Sequence, residues 1–310
     1  MKRLRTAAAG AATLLLLAAL SWQAWPAAWY PVLVGLNRAS AGLSPRVVQA
    51  AGHTIHLLEG GQGEPVVLLH GIFAEKDHWV DIARPLTNRW RVIAPDLPGF
   101  GESTRDLRQP YDYAAQVERL RLLLDAMGLQ RVHLAGNSMG GTIAALFAIR
   151  HPQRVASVAF IGAPHGIRTP GVSAMDREIT AGRAPLVASD APSFDAALAL
   201  VFSRPPYLPG PIVAVARAHA IERAAGNLQL WREQLGQRYL LHAQVGALRA
   251  PTLALWGGAD RVFDASGAPV LAGLLPQAQV EVLPGLGHLP MMEAPGEVAA
   301  RYDRFLGGLR

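Results

Sequence analysis

The stretch "LAGNSMGGT", residues 134–142, sets a serine among glycines where two apolar runs meet. The run before it, residues 131–135, reads as a buried strand, and the run from Gly141 onward reads as a helix. The G-x-S-x-G pattern from Gly136 to Gly140 therefore falls on a strand–turn–helix junction. A turn this tight leaves room only for tiny neighbours, which accounts for both glycines. It holds the Ser138 hydroxyl out over a cleft, with a helix N-terminus behind it that favours developing negative charge. The competing reading is a glycine-rich turn in which Ser138 only caps the helix. The rest of the chain decides between them.

Working outward, the same form recurs. "PVVLLHG", "RVIAPDLPG", "VASVAFIGAP", "PTLALWGGAD" and "QVEVLPGLGH" are short Val/Leu/Ile runs that end in turn residues. Runs without polar alternation suit strands buried on both faces, as in a parallel sheet. Helical patterns separate them; "YDYAAQVERLRLLLDAMG", for example, closes on Gly128. Strands alternating with helices predict an α/β protein with a mostly parallel, doubly wound sheet. From about Arg168 to Gln244 no buried strand is legible, and the stretch is helical and proline-punctuated. Because it lies between two strands of the sheet, it reads as an inserted helical cap. The expected organisation is a membrane or signal segment over 1–25 and an amphipathic arm over 26–46. The core follows in two parts, 47–167 and 245–310, around a cap at 168–244.

A serine hydroxyl is a weak nucleophile until a base takes its proton. In this kind of site an acid and then a histidine follow the serine along the chain. Of ten histidines, His288 lies in "LPGLGHLPMMEAP", directly after the last strand, where the base belongs. "LALWGGADRVFD" offers Asp260, which can reach back over the sheet edge through its double-glycine turn, and Asp264, a turn further on. Asp260 is the expected acid and Asp264 the alternative. The oxyanion of the transition state needs backbone donors. Met139, next to the serine, supplies one. The loop "HGIFAEKDHW" supplies the other, from Phe73 or else Ile72. His70-Gly71 is read as serving that turn, and "DLPGFGES" as a structural loop beside the cleft.

The N-terminus opens with Lys2, Arg3 and Arg5, then an apolar run from Thr6 to Leu20, then Trp22, Trp25, Trp29 and Tyr30. Extended to Trp25, the run has about the twenty residues that a bilayer core demands. No Lys or Arg follows until Arg38. The charge bias keeps the N-terminus cytoplasmic and sends the rest outward, with the aromatic residues at the interface. Ala19-Leu20-Ser21 is a weak cleavage site, so an uncleaved signal anchor is expected, with a cleaved signal and a soluble secreted enzyme as the alternative.

Composition narrows the classes. The chain of 310 residues has no cysteine, which excludes disulfides, iron–sulfur clusters and thiolate metal sites. The net charge of +6 comes from scattered arginines, with only Lys2 and Lys76 as lysines. Nucleic-acid binding needs a clustered basic patch, so no nucleic-acid partner is expected. Nor is a metal, a cofactor or an obligate protein partner.

Together "HGIFAEKDHW", "DLPGFGES", "GNSMGG", "WGGADRV" and "GHLPMMEAP" resemble, in order, the α/β-hydrolase superfamily, over nearly everything from Val47 to the C-terminus. "AEKDHW", "GNSMGG" and the N-terminal segment resemble membrane-anchored monoacylglycerol lipase-like hydrolases and bacterial lipases. The resemblance implies an ester hydrolase of lipid metabolism with Ser138, Asp260 and His288 as its triad, acting on a lipophilic ester. "GNSMGG" also resembles meta-cleavage-product hydrolases, which cut carbon–carbon bonds, although "GIFAEK" departs from their oxyanion loop. A carbon–carbon hydrolase or a cofactor-free perhydrolase is therefore the second reading. A non-catalytic binding protein on the same scaffold is the third.

Overall fold

The structure is a computed structural model that describes residues 20–50 and 52–309. Most of the expected membrane segment, up to residue 19, lies outside the described residues. Its end, residues 20–24, is helical, and among the described residues no helix is long and apolar enough to cross a membrane.

Eight strands form one sheet: β1 (Leu43–Ala50), β2 (His53–Gly60), β3 (Pro65–Leu69), β4 (Arg91–Pro95), β5 (Val132–Ser138), β6 (Val155–Pro164), β7 (Thr252–Gly257) and β8 (Gln279–Leu283). Their spatial order is β1-β2-β4-β3-β5-β6-β7-β8. The β1–β2 and β2–β4 pairs are antiparallel and the rest are parallel. Every residue of β5 and β7 is buried, which is why their sequences read as unbroken apolar runs. Helices cover both faces. Val67 and Leu69 of β3 face one core with Phe147 and Tyr113, while Val66 and Leu68 face the other with Trp79, Trp90 and Tyr302.

The chain enters the sheet earlier than the sequence pattern suggests. β1 begins at Leu43, inside the stretch read as arm, and pairs with β2 from Leu43↔Gly60 to Ala50↔His53. It is an edge strand with four consecutive exposed positions, so it carries no clear alternation, and an edge tolerates its Pro45. Before it, the arm helix Pro26–Ser40 buries no residue fully. It lies against the helix Gly210–Glu222, and Arg38 near its end makes a two-pronged ion pair with Asp77 (2.7 and 2.6 Å).

Between β6 and β7 the chain runs through the helices Ala174–Thr180, Ala191–Val201, Gly210–Glu222, Ala224–Gly236 and Leu240–Gln244. Ser173 with Asp176, and Asp190 with Ser193, close the first two with reciprocal capping boxes. These helices extend over the C-terminal end of the sheet, where ligands bind in open α/β folds.

Candidate active site

Ser138 is the last residue of β5, and the following helix, Met139–Arg150, begins two residues earlier than the sequence pattern indicates. The serine adopts φ 52°. Among the described non-glycine residues only Phe73, at φ 58°, shares that left-handed region. Such positions cost roughly 1–3 kcal/mol each and persist where the surroundings over-determine them. Here the surroundings are glycines. A Cβ on Gly136 would lie 2.3 Å from the carbonyl carbon of Gly140, and one on Gly140 would lie 2.1 Å from the Leu69 carbonyl oxygen. The turn closes this tightly because neither residue has a side chain.

The structure brings His288 and Asp260 together. His288 Nδ1 lies 2.8 Å from Asp260 Oδ2, and both side chains are buried. The other carboxylate oxygen, Oδ1, accepts the backbone N–H groups of Val262 (2.7 Å) and Phe263 (2.9 Å), which fixes the acid's orientation. Phe263 also packs edge-on against the His288 ring, with centroids 5.2 Å apart. Asp264 does something else: its Oδ1 accepts the Ser266 N–H at 3.0 Å.

Phe73 occupies the turn after β3. That turn passes close to the serine, since a Cβ on Gly71 would lie 3.3 Å from the Ser138 Cβ. Among the described residues nothing accepts a hydrogen bond from the Phe73 N–H. Met139 opens its helix, so its N–H has no intrahelical partner. His70 holds the near end of the turn. Its Nε2 accepts the Leu97 N–H at 2.9 Å, which leaves Nδ1–H to donate to the Gly71 carbonyl at 2.7 Å. Burial pushes its pKa down, in keeping with a neutral, structural imidazole.

A narrow pocket, with a cavity volume of about 20 Å³, is lined by Ser138. Ile72, Met175, Ile179, Leu186, Trp231 and Phe263 give it apolar walls, four of them from the segment between β6 and β7. Its other polar lining is His165, Gln234 and Arg238. His165 shares a 2.7 Å hydrogen bond with the Tyr113 hydroxyl. Burial, then the nearby Arg238 and His288, press its pKa down to about 3, so it stays neutral. Arg238, in the turn after the helix Ala224–Gly236, ion-pairs with Asp176 of the helix Ala174–Thr180.

Sequence reading missed several residues that hold this site. Asn137 Nδ2 donates to the carbonyls of Ile161 (2.9 Å) and His288 (3.0 Å), tying the serine turn to the histidine loop. Glu293 accepts the N–H groups of Gly287, Ser203 and Arg204. Both act through backbone atoms, mostly of segments far away in sequence, although Gly287 is only six residues from Glu293. The one available signal was their position inside motifs already singled out, "GNSMGG" and "PMMEAP".

The profile of the alpha/beta hydrolase fold matches residues 64–295. The chain belongs to the α/β-hydrolase fold family. It is 33% identical to Lipase 1 of Psychrobacter immobilis over 260 residues, 83% of this chain and 81% of the lipase. It is 29% identical to the monoacylglycerol lipase abhd6-B of Xenopus laevis over 304 residues, 94% of this chain and 90% of that protein. Among solved structures, a membrane phospholipase A described as a bacterial virulence factor superposes with TM-score 0.90 at 39% identity, covering 100% of this chain and 99% of that one.

Proposed function

We propose that this carboxylic ester hydrolase of the lipase/esterase kind works through an acyl-enzyme on Ser138. The observation that carries the reading is the 2.8 Å His288–Asp260 hydrogen bond, formed between loops at the same end of the sheet as the left-handed Ser138. With Asp260 accepting Nδ1–H, the other ring nitrogen of His288 is free to take the serine proton. Ser138 Oγ then bonds to the ester carbonyl carbon. The carbonyl oxygen becomes an oxyanion that the Phe73 and Met139 N–H groups stabilise. His288 returns the proton to the departing alcohol. Water, deprotonated in turn by His288, frees the acid and restores the serine. The apolar walls above Ser138 favour a lipophilic acyl chain, and the likeness to lipases and a phospholipase supports a lipid ester.

Residues 168–244 act as the cap in this reading, and residues 1–25 as the anchor that holds the catalytic domain on the outer, periplasmic face of the membrane. Trp25, Val32 and Leu36 at the arm are at least half exposed, as an interfacial helix requires. Recovery of full-length protein in the membrane fraction with an intact N-terminus is expected. A soluble form beginning near Trp22 would instead establish a cleaved signal.

Hydrolysis of p-nitrophenyl esters of increasing chain length tests the chemistry. Ser138→Ala should lose activity by a factor on the order of a million while keeping its fold. A variant that kept more than a few per cent would remove Ser138 from the mechanism. A panel that showed no ester turnover but cleaved a vinylogous diketone would establish the carbon–carbon reading.

A further inference from the structure

The far end of the Phe73 turn is held by a cation that the chemistry above does not use. Lys76 is 1% exposed, and its ammonium lies 2.7 Å from Asp96 Oδ2 and 2.5 Å from Glu102 Oε2. Its backbone N–H donates to Asp96 Oδ1 at 2.7 Å, so Asp96 grips the same residue twice. Asp96 Oδ2 also accepts the Glu102 N–H at 2.8 Å. The carboxylate, 0% exposed, thus sits between the turn after β3 and the loop after β4. That loop is built around it: a Cβ on Gly101, at φ 52°, would lie 2.1–2.3 Å from the Asp96 carboxyl atoms.

The turn is therefore pinned at both ends to one partner loop. His70 fixes Gly71 through Leu97, and Lys76 fixes the other end through Asp96. Phe73, left-handed and with its N–H unspent, lies between the two pins. We propose that Lys76 and Asp96 are positioning residues for the oxyanion donor, setting the direction of the Phe73 N–H through a buried ion pair. The proposal rests on the assignment of that N–H to the oxyanion site. A donor aimed at developing charge acts in the transition state and little in the ground state, so a slack turn lowers kcat and leaves KM in place.

Steady-state kinetics on a short p-nitrophenyl ester, with the inhibition constant of a trifluoromethyl ketone as a mimic of the tetrahedral adduct, test this. Lys76→Met should lower kcat by roughly 10- to 100-fold, weaken ketone binding by a similar factor, and leave KM within about twofold. Lys76→Arg should recover most of the loss. Should Lys76→Met fail to fold, Glu102→Gln carries the test, because that carboxylate is 57% exposed and its loss spares the core. It should lower kcat and ketone affinity together by about threefold or more. Folded Lys76→Met with kcat and ketone affinity like those of wild type overturns the proposal, as does a loss confined to KM. Unchanged Glu102→Gln overturns it where Lys76→Met is insoluble. Ser138→Ala in the same assay separates the two readings. If that variant is inactive and Lys76→Met is normal, only the positioning role falls; if it is active, the site assignment falls.

Discussion

Asp260 and Asp264 stand four residues apart, yet only Asp260 reaches His288, at 2.8 Å, while Asp264 turns back on the Ser266 N–H. The difference arises at the double glycine that ends β7, Gly257-Gly258. A Cβ on Gly257 would lie 2.0 Å from the Gly287 carbonyl oxygen, so the two loops touch only because it has none. That contact brings Asp260 under the histidine.

Asp260→Asn should therefore cost about 10³- to 10⁴-fold in kcat, since an amide cannot stabilise the imidazolium and favours the wrong tautomer. Asp264→Asn should stay within about tenfold of wild type, its loss confined to a local turn. Steady-state kinetics on one ester decide it, and the reverse order would move the acid to Asp264.

Two glycines in helices should behave oppositely. Gly140→Ala drives a Cβ to 2.1 Å from the Leu69 carbonyl oxygen, backbone against backbone, and should cost more than about 4 kcal/mol or abolish soluble yield. Gly273, in the helix Gly267–Leu274, has nothing within 4 Å of its Cβ position. Gly273→Ala should stabilise by roughly 0.5–1 kcal/mol. Thermal melts of the two variants check the contrast.

Glu75 should make stability fall as pH rises. Burial, with Asp77 and Asp96 nearby, lifts its pKa from 4.5 to about 7. Between those values the folded chain holds a proton that the unfolded chain releases. Its contribution is thus complete below pH 4.5 and is lost as pH climbs through about 7. Glu75→Gln should match wild type near pH 4 and melt higher at pH 8, by roughly 2–4 °C for each kcal/mol recovered. Parallel curves across that range would place the proton elsewhere.

Ser138 and Asp260 could be singled out because each lies at the C-terminal end of a fully buried strand, β5 or β7, where an apolar run stops at a glycine turn, whereas His288 follows β8, which buries only Leu283. β1 was not legible, since an edge strand that buries only Leu43, Val48 and Ala50 leaves too faint an alternation to outweigh its proline. The supports of the site were hidden for a different reason. Asn137 holds His288 across 151 residues, and Lys76 finds Asp96 across 20. Such pairings depend on which loops the sheet order makes neighbours. "DLPGFGES" shows the limit well: its glycines marked a structural loop, but nothing local announced that Asp96 would accept a lysine there.

The Arg38–Asp77 contact changes what it means to remove the arm. Asp77 is next to Lys76 in the chain, and its carboxylate lies 3.8 Å from the lysine ammonium. Arg38 neutralises that carboxylate from outside the core, with both side chains 16% exposed. A shortened enzyme starting after Ser40 would leave Asp77 to compete with Asp96 and Glu102 for a single lysine. The N-terminal helix is therefore not a detachable leash. A fragment trimmed for solubility is a different electrostatic object from the parent, with an uncompensated carboxylate beside the lysine.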